Sequence, residues 1–206
     1  PGGRPADGLP LPGGAAVECP VSGGCHRAAA GNISLFAGGS RADFEHVLQH
    51  ELVHVFQLSK MDAVMSKRGR TFFGAPPLWF TEGLAEFWSK DWDVNADMIV
   101  KDMVINNRLF TIPEIYRIRG SYFMYKLGES ICTFIDSTYG SDKLVLLYEN
   151  MYKGKDFDDV VEVTLGDNLS EVSRKWEYAL RKHYYPELAS AGLPMMESRR
   201  ITYDGY

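Results

Sequence analysis

The stretch Phe44–Gln57 reads FEHVLQHELVHVFQ and places three of the chain's five histidines, His46, His50 and His54, at a spacing of four. Phe44, Val47, Leu48, Leu52, Val55 and Phe56 recur between them at helical intervals. A helix over Ala42–Leu58 satisfies both patterns at once. Residues four apart on a helix lie one above the other, so His50 and His54 share a face and can bite a single metal ion from one side. Glu51 is turned by about 100° from His50, which keeps it out of that pair. His46 extends the stripe but does not join the pair as a ligand, because three side chains at i, i+4 and i+8 span about 12 Å of a straight helix. It is expected partly exposed, at the rim of a cleft. A surface helix with incidental histidines is the plain alternative. Against it, unpaired imidazoles in so apolar a helix would be costly to bury.

HELVH within this stretch is an H-E-x-x-H pattern. Two neutral imidazoles hold a zinc ion, and the intervening glutamate, here Glu51, acts as general base toward a water on the metal. A catalytic ion of this kind takes a third protein ligand, and HELVH is followed by VFQLSKM, which has no histidine. PPLWFTEGLAEFW comes next, with Glu82 and Glu86 again four apart among Trp79, Phe80, Leu84 and Phe87. Carboxylates on so apolar an element need a partner, and a divalent cation is a suitable one. Two solvated helix charges are the alternative.

The rest of the chain frames these two elements. Residues 1–31 are rich in Gly, Pro and Ala and are expected to be irregular. NISLFA, Asn32–Ala37, is expected to be a short strand. SKRGRTFFGAPP is expected to be a loop, and helices are expected in LWFTEGLAEFWSK and VNADMIVKDMVINN. Ser121 is placed to cap a helix ending at Tyr139 before Gly140. Further helices are expected from Asp142 to about Met151, in FDDVVEVTL, and in NLSEVSRKWEYALRKHYY, ended by Pro186. The domain expectation is an N-terminal segment 1–31, a body 32–188, and a tail 189–206 leading toward a further domain. The first residue is Pro and not Met, which suggests a processed or excised chain. Net charge −5 gives no reason to expect nucleic acid, and no apolar run is long enough to span a membrane. Cys19 and Cys25 are close enough to close a small loop by a disulfide, but three cysteines are equally ordinary in a reducing compartment.

HELVH followed by WFTEGLAEF resembles the gluzincin branch of zinc metallopeptidases, and in particular the bacterial peptidase MA-like domains. The resemblance implies an α+β, zincin-like fold, predominantly helical with a small N-terminal β-sheet. It implies one Zn2+ held by His50, His54 and Glu82, with Glu86 orienting one of the histidines. YFMYKLGES is similar to the Y-x-x-G-x-S element of gluzincin aminopeptidases, which implies that Tyr125 stabilises an oxyanion, with Tyr122 as the fallback. The lysine that precedes the glycine in those enzymes is replaced here by Leu127. The expected function is hydrolysis of peptide or protein substrates by a zinc-activated water. Endopeptidase action is favoured, since GNISLFAGG lacks the carboxylate-bearing G-x-M-E-N element that binds a free amino terminus. Asn32, Ile33, Ser34 and Leu35 are the candidate edge strand for substrate. Export is implied, as is a following β-propeller outside this chain. A catalytically silent zinc-binding interaction domain and a purely structural helical domain are the rival readings.

Overall fold

A computed structural model of the chain describes residues 40–68 and 75–190. Seven α-helices run through them: α1 (Arg41–Arg68), α2 (Leu78–Ser89), α3 (Val94–Ile105), α4 (Tyr122–Tyr139), α5 (Asp142–Glu149), α6 (Phe157–Leu165) and α7 (Leu169–Ser190). Two 3₁₀ segments, Ile112–Ile118 and Met151–Lys153, join them. Among the described residues there are helices and no strand, so the body is predominantly helical as expected, while the expectation of an α+β, zincin-like fold is corrected. The strand expected at Asn32–Ala37, and with it the small sheet, lies outside the described residues.

Local chemistry sets most helix ends where the sequence placed them. Asp93 caps α3 by accepting from Ala96 N at 2.7 Å, and Asp156 caps α6 by accepting from Asp159 N at 3.0 Å. Ser121 caps α4 through Met124 N at 3.3 Å. Each satisfies an amide left unpaired by the first helical turn. Gly166 closes α6 with φ at 82°, a left-handed conformation that few residues other than glycine adopt readily.

Two helices depart from expectation. α7 continues through Pro186 to Ser190. The proline removes one backbone hydrogen bond near the helix end, while Glu187, just beyond it, pairs with Lys101 of α3. α1 runs ten residues past Leu58 and is inside out. It buries His50, Glu51, Val53 and Gln57 and turns Leu52, Phe56 and Leu58 outward, with Phe56 69% exposed. Of the apolar positions that recur at helical intervals, Leu52 and Phe56 face out, while Phe44, Val47, Leu48 and Val55 are half-buried.

The core gathers Trp79, Phe80 and Leu84 of α2, Leu127, Ile131 and Ile135 of α4, Leu144 and Leu147 of α5, and Trp176 of α7. Trp176 is fully enclosed and donates to Ser130 Oγ at 3.1 Å. α2 lies between α1 and α4. Its contact with α4 is a backbone-to-backbone approach at Gly83 and Gly128, where a Cβ on Gly83 would sit 2.3 Å from the Gly128 carbonyl carbon. Neither position has room for a side chain. That approach lets α4 bring Tyr125, Lys126 and Glu129 up to the two carboxylates of α2. Cys132 of α4 is a buried free thiol, and Cys19 and Cys25 lie outside the described residues.

Candidate functional site

The inverted face of α1 meets α2 at a compact polar cluster. Glu82 Oε2 is 3.2 Å from His50 Nε2 and 3.2 Å from His54 Nε2, and the two ring nitrogens are 3.1 Å from each other. Glu82 is 1% exposed and His50 8%. Burying these groups is expensive. α2 offsets the cost by also burying Trp79, Phe80 and Leu84, each worth about 1.5–3 kcal/mol when removed from water.

Protonation follows from the hydrogen bonds. Gln57 sits between His54 and the backbone of α2: its Nε2 donates to Thr81 O at 2.9 Å, and its Oε1 lies 2.8 Å from His54 Nδ1. A carbonyl only accepts, so the amide nitrogen must face Thr81 and the amide oxygen must face the ring. His54 Nδ1 is therefore the donor, and in the neutral ring Nε2 carries a lone pair aimed at Glu82 and His50. Burial works against charge on His50, but the carboxylates of Glu82 and Glu86 beside its two ring nitrogens outweigh it and raise its pKa from 6.5 to about 9. Burial likewise pushes Glu82 up, and the two imidazoles reverse this and bring it down to about 2. Without an ion, a shared proton is what holds these acceptors together.

Glu86 forms a second layer. Its Oε1 is 3.1 Å from His50 Nδ1, off the line of a good hydrogen bond, and 3.6 Å from His46 Nε2. Lys126, fully buried, donates to Glu86 Oε2 and to Glu129 Oε2, the latter at 3.1 Å. Burial opposes charge on Glu86, yet His46, His50 and Lys126 together hold its carboxyl far below the usual range. Burial also opposes charge on Lys126, and Glu86 and Glu129 overcome it and raise its pKa. His46 is half-buried, as a rim residue should be, with its ring nitrogen turned toward Glu86.

Glu51, His50 and His54 each present a ligand atom within 4.8 Å of the others. Tyr125 is 5% exposed, with its ring 6.2 Å from that of His50 and roughly parallel to it. Tyr122 lies further out, 43% exposed, under the Lys126 ammonium. The structure thus brings His50, Glu51, His54, Glu82, Glu86 and Tyr125 into one region. Asn32, Ile33, Ser34 and Leu35 are outside the described residues. Gln57 and Lys126 were missed from sequence, although Gln57 closes the quoted stretch. Its spacing of three from His54 was the available signal. Lys126 carried none, because its partners are 40 residues away on α2 and three away on α4.

The cluster passes a simple fit test for a metal ion. A four-coordinate ion bound at about 2.0–2.1 Å sets its ligand atoms about 3.3–3.4 Å apart. Three lone-pair atoms at 3.1–3.2 Å from two helices match that spacing.

A family model for the NAD binding domain of 6-phosphogluconate dehydrogenase matches residues 8–52. That is a dehydrogenase module and not a peptidase family, so the gluzincin resemblance is overturned. The expectations of a peptide-bond hydrolase, of its silent counterpart and of Zn2+ as resident cofactor are corrected with it. The cofactor that the match names is a nicotinamide dinucleotide. The match covers under a quarter of the chain and ends at Leu52 inside α1, so it does not by itself place the whole chain in that family. No curated protein and no solved structure matches the chain.

Proposed function

We propose that the helical body binds one divalent transition-metal ion through His50 and His54 of α1 and Glu82 of α2. One observation carries this reading. The ligand atoms His50 Nε2, His54 Nε2 and Glu82 Oε2, from two helices, converge to mutual distances of 3.1–3.2 Å, a spacing that one divalent cation can bridge in place of a proton. Two imidazoles and one carboxylate suit several ions of the first transition row, iron(II) and cobalt(II) among them. Glu51 and Tyr125 border the cluster and are the groups proposed to meet a ligand at the ion's remaining position. The test is metal content of protein purified without chelators or a histidine tag, beside Glu82→Ala treated identically. About one ion per chain, lost or sharply reduced in the variant, is the expected result. Protein that holds no ion even after Co2+ is added back overturns the reading.

A second reading is favoured by the match over residues 8–52, namely that this stretch contributes to binding a nicotinamide dinucleotide. The matched stretch runs into α1 and includes His50 and Glu51, so the two readings share part of one helix and are tested separately. Titration with NADH is expected to give a saturable change in its fluorescence. A linear response up to millimolar NADH overturns it.

A further inference from the structure

The two proposed ring ligands are anchored differently. His50 has the Glu86 carboxylate near its Nδ1, poorly directed, while His54 has a well-formed bond to a neutral amide. Gln57 is 4% exposed and uses both ends of that amide. One end takes the His54 Nδ1 proton at 2.8 Å, and the other donates to the carbonyl of Thr81 at 2.9 Å. Thr81 directly precedes Glu82. The amide thereby joins one ligand on α1 to the backbone beside another ligand on α2, and the direction of its two bonds leaves a single tautomer open to His54.

We propose that Gln57 is a positioning residue that fixes the tautomer of His54 and the distance between His54 and Glu82, so that both present lone pairs to the same ion. The proposal rests on the metal reading above. It adds a residue that touches neither the ion nor its open side. Partners of this kind on ligating histidines typically change metal affinity by about 10–100-fold. Removing the amide costs no ligand atom, so it is expected to change affinity without changing stoichiometry.

The experiment compares wild-type protein, Gln57→Leu and Gln57→Glu, each stripped of metal and titrated with Co2+ against a competing chelator. The Leu substitution keeps the bulk and removes both hydrogen bonds. The Glu substitution restores the acceptor for His54 and guards against a Leu variant that folds poorly. Gln57→Leu is expected to bind one Co2+ per chain about 10–100-fold more weakly, and Gln57→Glu to recover much of that loss. A second readout needs no metal. Nitrogen-15 spectra of the metal-free protein are expected to show His54 protonated at Nδ1 in the wild type and at a mixture of both nitrogens in Gln57→Leu. Affinity within twofold of wild type, with unchanged His54 nitrogen shifts, overturns the role of Gln57 and leaves the ion site standing. Wild-type protein that takes up no Co2+ overturns the ion site itself and the affinity role that rests on it.

Discussion

At the scale of single residues, the cluster's stability depends on how its charges are paired. Lys126 is enclosed completely, and its ammonium lies between Glu86 and Glu129. Lys126→Met keeps the stem and deletes the cation, leaving two buried carboxylates without it. Breaking a buried ion pair from one side costs about 3–5 kcal/mol, and a loss of that size in urea unfolding is expected. A change below about 1 kcal/mol would show that water or Lys90, 3.7 Å from Glu86, takes over the pairing. The histidines give the metal-free protein a signed pH dependence. His50, raised from 6.5 to about 9, contributes stability that is fully present below pH 6.5 and is lost as pH rises through 9. Glu82, lowered from 4.5 to about 2, contributes above pH 4.5 and loses it as pH falls through 2. Both contributions are whole between pH 4.5 and 6.5. Metal-free protein is therefore expected to lose stability from pH 6.5 to 9, whereas Co2+-loaded protein gains over the same interval, because protons cease to compete for the ring nitrogens. Urea midpoints at both pH values, with and without Co2+, would refute this if the two forms moved in parallel.

Elements were more legible than their arrangement. Helix caps are written in a few adjacent residues, which is why Ser121 and Gly140 mark the ends of α4 correctly. What a helix faces is a long-range matter, and α1 shows the limit. Apolar periodicity marked a helix but did not say which face it buries: the polar stripe has the buried partners, and Leu52 and Phe56 face out. Glu82 and Glu86 were legible as a pair because carboxylates in an apolar helix demand explanation. The contact that positions them was not, since Gly83 and Gly128 lie 45 positions apart and nothing in either segment names the other. A Cβ on Gly128 would lie 2.3 Å from the Trp79 carbonyl oxygen and 2.9 Å from Gly83 Cα, all backbone that cannot swing aside. Gly128→Ala is expected to force α2 and α4 apart at about 1–3 kcal/mol, the usual range for overpacking. Because α2 carries Glu82, Co2+ affinity should fall in the same variant. Thermal melting together with Co2+ titration checks both, and a variant with unchanged affinity would separate the helix contact from the site.

At the scale of the whole molecule, the polar cluster was legible, but not a function for it. Five residues in two helices, His50, Glu51, His54, Glu82 and Glu86, can mark out a ligand set, because helical spacing is a local rule. Reaction class depends on what approaches the open side, which that spacing does not encode. The peptidase reading moved from one to the other and was corrected by a match over residues 8–52, which ends inside α1. Residues 1–31 looked irregular because their Gly- and Pro-rich composition carries no periodicity to read. The molecule consequently has two parts whose dependence on each other can be tested. Every buried apolar residue of the described core lies between Val53 and Tyr184, beyond the matched stretch 8–52. The apolar residues of α1 at Leu52, Phe56 and Leu58 face outward, so the core does not rely on them. A chain lacking residues 1–39 is therefore expected to unfold in one cooperative transition and to keep its Co2+ binding, while any NADH response is lost. Circular dichroism melting, Co2+ titration and NADH titration on full-length and shortened chains distinguish the outcomes. If the shortened chain fails to fold, the helical body depends on residues 1–39 for its stability. If it folds and retains its NADH response, residues 8–39 do not carry the dinucleotide site.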